Sequence, residues 1–154
     1  YLDKVDLIAG ASMRFDDFMN IKYAYIQCKS VIEFGKSGTV RFFEDSYAEC
    51  VTRTLGQATS IRSLCHPKVL RFLEYGEKGK KYIECLKSYL ANGCNLAYTA
   101  KKMHLHRNTL TYRLERISSE IGVQLDSCDD NTLLILQLSC LLVEKAITEA
   151  SVTE

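Results

Sequence analysis

Apolar residues recur at helical spacing along much of this 154-residue chain. In "FDDFMNIKYAYIQCKSVIEFG" they fall three or four residues apart, and the pattern stops at Gly35, which predicts a helix. Two shorter runs, "KVDLIAGAS" before this segment and "TVRFFE" after it, are typical of short strands. The pattern therefore predicts a small α/β portion at the N-terminal end of the chain.

Beyond this portion the pattern becomes helical. The segment "DSYAECVTRTL" follows a predicted cap at Asp45 or Ser46, and "HPKVLRFLEYG" carries Pro67 where a first helical turn accepts proline. A third segment, "GKKYIECLKSYLANG", ends at Gly93. We therefore expect a mainly α fold, in which the small α/β portion is followed by a helical bundle.

Residues 95–122 carry the most informative pattern. Asn95 is a suitable cap for a helix over "LAYTAKKM", and a second helix is predicted over residues 107–121. Only three residues, "HLH", lie between the two helices. His104 takes the turn position, and histidine tolerates a positive φ better than most residues do. Two helices joined by so short a turn predict a helix-turn-helix.

The second of these helices has two different faces. At roughly 100° per residue its apolar positions form one stripe, which should pack against the first helix, mainly on Leu96, Ala100 and Met103. The stripe consists of Leu110, Leu114, Ile117 and Ile121. The residues that point away from it are polar or basic, namely Asn108, Thr109, Tyr112 and Arg116. This face is typical of a recognition helix in the DNA major groove, although any solvated helix is also polar outside.

The side chains of this helix suit DNA chemically. Arginine pairs with the two acceptors of guanine, asparagine pairs with adenine, and a helix N-terminus favours a nearby phosphate. We predict that Arg107 and Asn108 read base edges, whereas Arg113 and Arg116 mainly hold phosphates. The full set of predicted DNA-binding residues is His106, Arg107, Asn108, Thr109, Thr111, Tyr112, Arg113 and Arg116.

The segment "NLAYTAKKMHLHRNTLTYRLERISSEIGVQLDSCDDNTLLILQLSCLL" resembles the C-terminal helix-turn-helix domain of the PucR/CdaR family of bacterial transcriptional regulators. The family pattern is N-L-x-x-T-A-x-x-L-x-[VL]-H-R-N-T-L-x-Y-R-L-x-x-I followed by a G-x-x-L step, which this chain keeps at Gly122 and Leu125. The chain departs from the pattern at Met103, where leucine is usual, and at Thr111, where the family often has arginine.

The resemblance extends upstream and carries further implications. "IAGASMRFDDFMNIKYAYIQCKSVIEFGKSGTVRFFED" is similar to the end of the GGDEF-like sensor region of such regulators. It implies that residues 1–45 end a sensor region and that residues 46–154 form a helical DNA-binding domain. It also implies a sequence-specific regulator that binds double-stranded DNA without a cofactor, acts in the cytoplasm and binds its small-molecule effector outside this chain.

Charge and cysteine content refine this picture. The formal net charge is only +1, but residues 95–122 carry five Lys or Arg and two Asp or Glu, whereas residues 123–154 carry one and six. The seven cysteines include no C-x-x-C pair, which favours reduced thiols in a cytosolic protein. We expect no secretion signal and no membrane helix, because Gln137 and Ser139 interrupt the longest apolar run.

Three other kinds of functional site have less support in the sequence: a metal site, a phosphate loop and a catalytic site. Cys94, His104 and His106 lack the spacing of a metal site, so we predict none. "GEKGKK" lacks the spacing of a phosphate loop, and its lysines Lys78, Lys80 and Lys81 are either solvated or in contact with DNA backbone. The chain contains no G-G-[DE]-[DE]-F motif and no recognisable catalytic triad, so we predict that it is not an enzyme.

The last predicted helix, "NTLLILQLSCLLVEKA", has apolar residues around much of its circumference. Burial in the core is one explanation and a homodimer contact is the other. The alternative function is accordingly a non-catalytic interaction or dimerisation module that does not bind DNA.

Overall fold

The computed structural model of the chain describes residues 7–33 and 35–150. Helices make up most of the described residues, and the only sheet among them has two strands. The prediction of a mainly α fold with a small α/β N-terminal portion is therefore confirmed. Contacts divide the chain into two compact units, residues 1–54 and 55–154. The predicted end of a sensor region at residue 45 stays a prediction, because contacts alone do not identify a sensor region.

The N-terminal unit is built around two parallel strands. Strand β1 (Ala9–Ala11) pairs with β2 (Val40–Phe42), with Ala9 opposite Val40, and α1 (Ile21–Glu33) lies between them in sequence. A Cβ atom on Gly10 would lie 2.6 Å from the Cys28 carbonyl oxygen, so glycine lets β1 approach α1 closely. Both predicted strands are present, although residues 4–6 of the first lie outside the described residues.

Helix α2 (Phe43–Ala58) begins earlier than predicted. The predicted caps, Asp45 and Ser46, lie inside its first turns, and the predicted strand over "TVRFFE" ends at Phe42. Glu44 and Asp45 place two carboxylates in the first turn, where the helix dipole favours negative charge. The phenylalanines made this stretch resemble a strand, since aromatic residues are enriched in strands.

Helices are the only regular elements among the described residues of the C-terminal unit. After α2 come α3 (Ile61–Leu64), α4 (Pro67–Leu70), a 3-10 helix (Arg71–Tyr75), α5 (Glu77–Ala91), α6 (Leu96–Lys102), α7 (Arg107–Ile121) and α8 (Asp130–Ala150). Pro67 begins α4 as predicted, but the single helix expected over "HPKVLRFLEYG" is two short pieces. A Cβ atom on Gly79 would lie 1.7 Å from the Phe72 carbonyl oxygen, so glycine lets α5 contact the backbone of the 3-10 helix closely.

Helix α5 lies at the centre of this unit and contacts the 3-10 helix, α6, α7 and α8. The large side chains fully buried around it are Phe72, Leu86, Leu110, Ile117, Ile121, Leu136 and Leu142. The Lys87 ammonium donates to Glu144 at 2.5 Å, which ties α5 to α8 at the surface. This core fixes α7, the helix that carries the predicted DNA-binding residues.

The cysteines are all free thiols, as predicted. Cys50, Cys65, Cys85 and Cys140 are buried. Burial raises the pKa of the Cys140 thiol to about 12, with a further increase from Glu144. A thiol held protonated in this way is a poor nucleophile and behaves as a small apolar side chain.

Helix α8 includes the whole predicted last helix, and Gln137 and Ser139 interrupt its apolar run but not the helix itself. Among the described residues, the segment Asp130–Thr148 alone is long and apolar enough to cross a membrane by length and composition. The core helix of a globular protein passes the same test. Leu136 and Leu142 are fully buried, and the Ser139 hydroxyl accepts from the His66 backbone N–H at 2.8 Å. These contacts are typical of a core helix.

Candidate nucleic-acid interface

Helix α6 begins at the predicted cap. The Asn95 side chain accepts a hydrogen bond from the Tyr98 backbone N–H at 2.9 Å, which satisfies one of the unpaired donors of the first turn. Thr99 and Ala100 are buried, and Leu96 is half-buried against the core. One side of α6 is thus fixed to the rest of the unit.

The turn between α6 and α7 contains four residues, 103–106, one more than predicted, because α6 ends at Lys102 and Met103 is its C-cap. His104 has a φ of 53°, the left-handed conformation expected at this position, and the Leu105 N–H donates to the Ala100 carbonyl at 2.9 Å. His106 then caps α7, because its Nδ1 accepts from the Asn108 N–H at 3.3 Å. In the neutral ring this leaves the proton on Nε2, which lies on the far side of the imidazole.

Helix α7 covers the predicted residues 107–121, from Arg107 to Ile121. Its four stripe residues are all buried. Leu110 is fully buried and Leu114 is 8% exposed. The helix ends at Gly122, which has a φ of 72° and donates its N–H to the Ser118 carbonyl at 2.8 Å. Helices α6 and α7 are in contact, and the stripe belongs to the same buried core as Ala100, with Leu96 and Met103 packed against that core, which agrees with the predicted packing.

Six of the eight predicted DNA-binding residues are exposed together on and beside α7, namely His106, Arg107, Asn108, Thr109, Tyr112 and Arg116. Thr111 and Arg113 are half-buried. The Thr111 hydroxyl donates to the Arg107 carbonyl at 3.1 Å, and its side chain lines a pocket with Ser118 of the same helix and Leu96 of α6. Thr111 therefore lies away from the exposed face that the others share.

Tyr112 and Arg116 form a pair on this exposed face. The Arg116 guanidinium donates to the Tyr112 hydroxyl at 3.2 Å and lies 6.0 Å from the centre of its ring. The Tyr112 hydroxyl raises the pKa of Arg116, chiefly through this hydrogen bond. The pair holds a cation about two and a half turns beyond the start of α7, at a position suited to contact a phosphate.

Arg113 lies at the edge of the core rather than in open solvent. Burial raises the pKa of the Cys85 thiol, and the positive charge of the nearby Arg113 guanidinium partly opposes that rise. The guanidinium of Arg113 thus lies near α5.

A groove separates the beginning of α5 from this side of α7. Helix α5 contributes Lys78, Lys81 and Tyr82, and α7 contributes Thr109, Tyr112, Arg113 and Arg116. We call it the basic groove. Lys78, Lys80 and Lys81 are clustered in the sequence at the start of α5, but only the tertiary packing brings two of them beside α7. The third, Lys80, instead pairs with Glu77 at 2.7 Å.

No group of three or more His, Cys, Asp or Glu side chains suitable for a metal ion occurs within residues 7–33 and 35–150. The side chains assembled here are instead hydrogen-bond donors and cations. Their chemistry suits a polyanion that also presents base edges.

Comparison with known proteins agrees with this geometry. Residues 82–142 match the family model described as the PucR C-terminal helix-turn-helix domain. The purine catabolism regulatory protein of Bacillus subtilis (strain 168) is 23% identical over 133 residues, which cover 84% of this chain and 25% of that protein. An uncharacterised Haemophilus influenzae protein is 34% identical over 134 residues, covering 84% of this chain and 36% of its own length.

A shorter stretch has a higher sequence identity with another relative. The carbohydrate diacid regulator of Escherichia coli K12 is 50% identical over 40 residues, which cover 26% of this chain and 10% of that protein. The chain thus spans about a third or less of the length of these relatives. No solved structure matches it at a significant level. The predicted GGDEF-like region upstream is not confirmed by these matches, whereas residues 82–142 match the model of the PucR C-terminal helix-turn-helix domain.

Proposed function

We propose that this protein is a sequence-specific DNA-binding transcriptional regulator that places α7 in the major groove of double-stranded DNA. One observation carries the proposal: α7 has a fully apolar buried stripe and an opposite face of exposed polar and basic side chains. A recognition helix needs both, because one face anchors it while the other meets the bases. The regulatory names of two relatives support the same function.

Arg107 and Asn108 are the base-reading residues in this proposal. Both are exposed in the first turn of α7, the part of a recognition helix that docks deepest, and neither side chain has a hydrogen-bond partner within the described residues. Arg113 and Arg116 lie one to two turns further on and hold phosphates. His106, Thr109 and Tyr112 complete the set of proposed contacts, whereas the predicted contact at Thr111 is left out because this side chain lies away from the exposed face.

The functional unit is proposed to be a homodimer. Residues 95–122 carry only five Lys or Arg, so a single copy makes few phosphate contacts and binds weakly. Helix α8 offers a surface for pairing, since Leu134 is 52% exposed and Ile135 is 38% exposed. Two copies would then read half-sites about 34 Å apart, one helical turn of DNA.

The remaining parts of the proposal concern the whole protein. It regulates transcription without catalysing a reaction and binds its small-molecule effector outside this chain. A regulator of bacterial genes works in the cytoplasm, which agrees with the free thiols of the chain.

The alternative is a non-catalytic interaction module that does not bind DNA. The exposed apolar residues of α8 favour it, because a large apolar surface on a helix marks a contact with another protein. This alternative predicts association with a protein but no binding of DNA that weakens with salt.

The direct test is selection of bound duplexes from a random-sequence pool, followed by footprinting of the enriched sequence and of the DNA beside the gene itself. We expect one enriched motif and an affinity that falls as the salt concentration rises. A pool that stays random, together with no salt-dependent binding, would favour the interaction module.

A further inference from the structure

The basic groove lies next to the recognition face but is built partly from α5, outside residues 95–122. Thr109 and Tyr112 line it and also belong to the exposed face of α7, so the two surfaces are continuous. Across the groove stand Lys78 and Lys81 from the first two turns of α5. A ligand lying along α7 on this side would therefore reach α5 as well.

The lining of the basic groove is cationic. Four of its seven residues are Lys or Arg, and none is Asp or Glu. The Glu77 carboxylate, on the same turn of α5, pairs with Lys80 at 2.7 Å. Two cations on each side, with no carboxylate in the lining, favour an extended anion over a peptide or a neutral ligand.

Aromatic rings hold two of these cations in place. The Lys78 ammonium lies 5.6 Å from the centre of the Tyr75 ring and 5.3 Å from that of Tyr82. Arg116 is placed in a similar way by Tyr112. In each case the charged group lies near an aromatic ring while the residue remains exposed, so less side-chain entropy is lost when a phosphate binds.

The geometry of DNA places phosphates at this position. A recognition helix lies in a major groove about 12 Å wide, so the phosphates of both strands run along its two sides. The basic groove lies on the Thr109 and Arg113 side of α7. From this position we infer that Lys78 and Lys81 bind the phosphates of the DNA strand that flanks α7 on that side.

This inference rests on the proposed function and adds a contact beyond the helix-turn-helix. The matched family domain begins at residue 82, so both lysines precede it. The DNA footprint of the protein accordingly extends onto α5, and part of its affinity comes from residues that do not read sequence.

The test replaces both lysines in the full chain, as K78Q together with K81Q, because glutamine keeps the stem and removes the charge. The matched control is K22Q together with K29Q, which removes the same charge from exposed positions of α1. A second comparison sets K81Q against K80Q, whose native ammonium pairs with Glu77. Affinity for the selected site and for random DNA is measured by fluorescence anisotropy at several salt concentrations, after circular dichroism verifies folding.

We expect K78Q with K81Q to weaken binding to both DNAs by a similar factor, on the order of tenfold, and to lower the salt slope by about two, since each phosphate contact contributes about 0.9. The control pair should keep wild-type affinity and slope, and K81Q should weaken binding more than K80Q. If the double variant is poorly folded, the comparison of K81Q with K80Q tests by itself whether the α5 lysines bind DNA phosphates.

Two results would overturn the inference while the proposed function stands. One is wild-type affinity and slope in the double variant, although R107A still weakens binding to the selected site. The other is a loss confined to the selected site, which would mean that the lysines read sequence.

Tight binding of inorganic phosphate to the wild type, with unchanged DNA affinity in the double variant, would assign the groove to a free phosphate ligand. A wild type that binds no DNA would refute the proposed function itself.

Discussion

Arg107 is the first residue of α7, and its exposed guanidinium is available to the two acceptors of a guanine. We expect R107A to cost about 1 to 3 kcal/mol of binding free energy on the selected site and little on random DNA. Anisotropy titrations on the two DNAs measure the difference. An equal loss on both would show that Arg107 contacts the backbone instead.

His66 is a residue whose protonation opposes folding. Its Nδ1 is buried and has no hydrogen-bond partner within the described residues. Burial lowers the pKa of the imidazole, and the nearby Lys68 lowers it further. The folded state therefore binds fewer protons than the unfolded state does, so stability is lost as the pH falls below about 6.5, the ordinary pKa of histidine.

We expect the free energy of unfolding of the wild type to decrease between pH 7.5 and pH 5.5 by more than that of H66N, which cannot titrate at this position. Urea unfolding at both pH values measures this difference, and His104 and His106 are present in both proteins. Equal decreases in the two proteins would show that His66 does not link protonation to stability.

At the scale of elements, the two faces of α7 predict opposite effects of mutation. Leu110 is fully buried in the stripe, so L110A should cost about 2 to 5 kcal/mol of stability. Ser119 is exposed on the same helix, so S119A should change stability by less than about 0.5 kcal/mol. Denaturant unfolding of both variants is the measurement. Similar stabilities would mean that α7 is not anchored through its stripe.

The sequence predicted an element well when the residues that determine it are close together in the chain. Helices α6 and α7 were predicted to within a residue because their signals are local: the cap at Asn95, the short turn and the apolar stripe. The start of α2 was missed because Phe42 and Phe43 favour a strand by composition.

Other features depend on contacts between distant parts of the sequence. The break between α4 and the 3-10 helix accompanies the close approach of Gly79 to Phe72. The basic groove exists only because packing sets the start of α5 beside α7. Neither arrangement has a local signal in the sequence, whereas the exposed residues of α7 followed from helical periodicity alone.

At the scale of the whole molecule, substitutions on the exposed side of α8 test the proposed dimer. L134E places a charge in that surface, so it should shift a micromolar sample from dimer to monomer in sedimentation and lower operator affinity. The control is Q137E, which adds the same charge at an exposed polar position of α8. A wild type that sediments as a monomer yet protects one half-site tightly would contradict the dimer.

The division of α7 into a buried stripe and an exposed face also bears on how such a regulator diverges in evolution. Substitutions on the exposed face leave the core untouched, so they carry little cost in folding and can accumulate after gene duplication. Two copies of an ancestral gene could then keep the same stripe while their exposed residues drifted toward different DNA sequences. Exchanging only Arg107, Asn108, Thr109 and Tyr112 between such paralogues should exchange their target sites, because the scaffold that orients these positions is common to both.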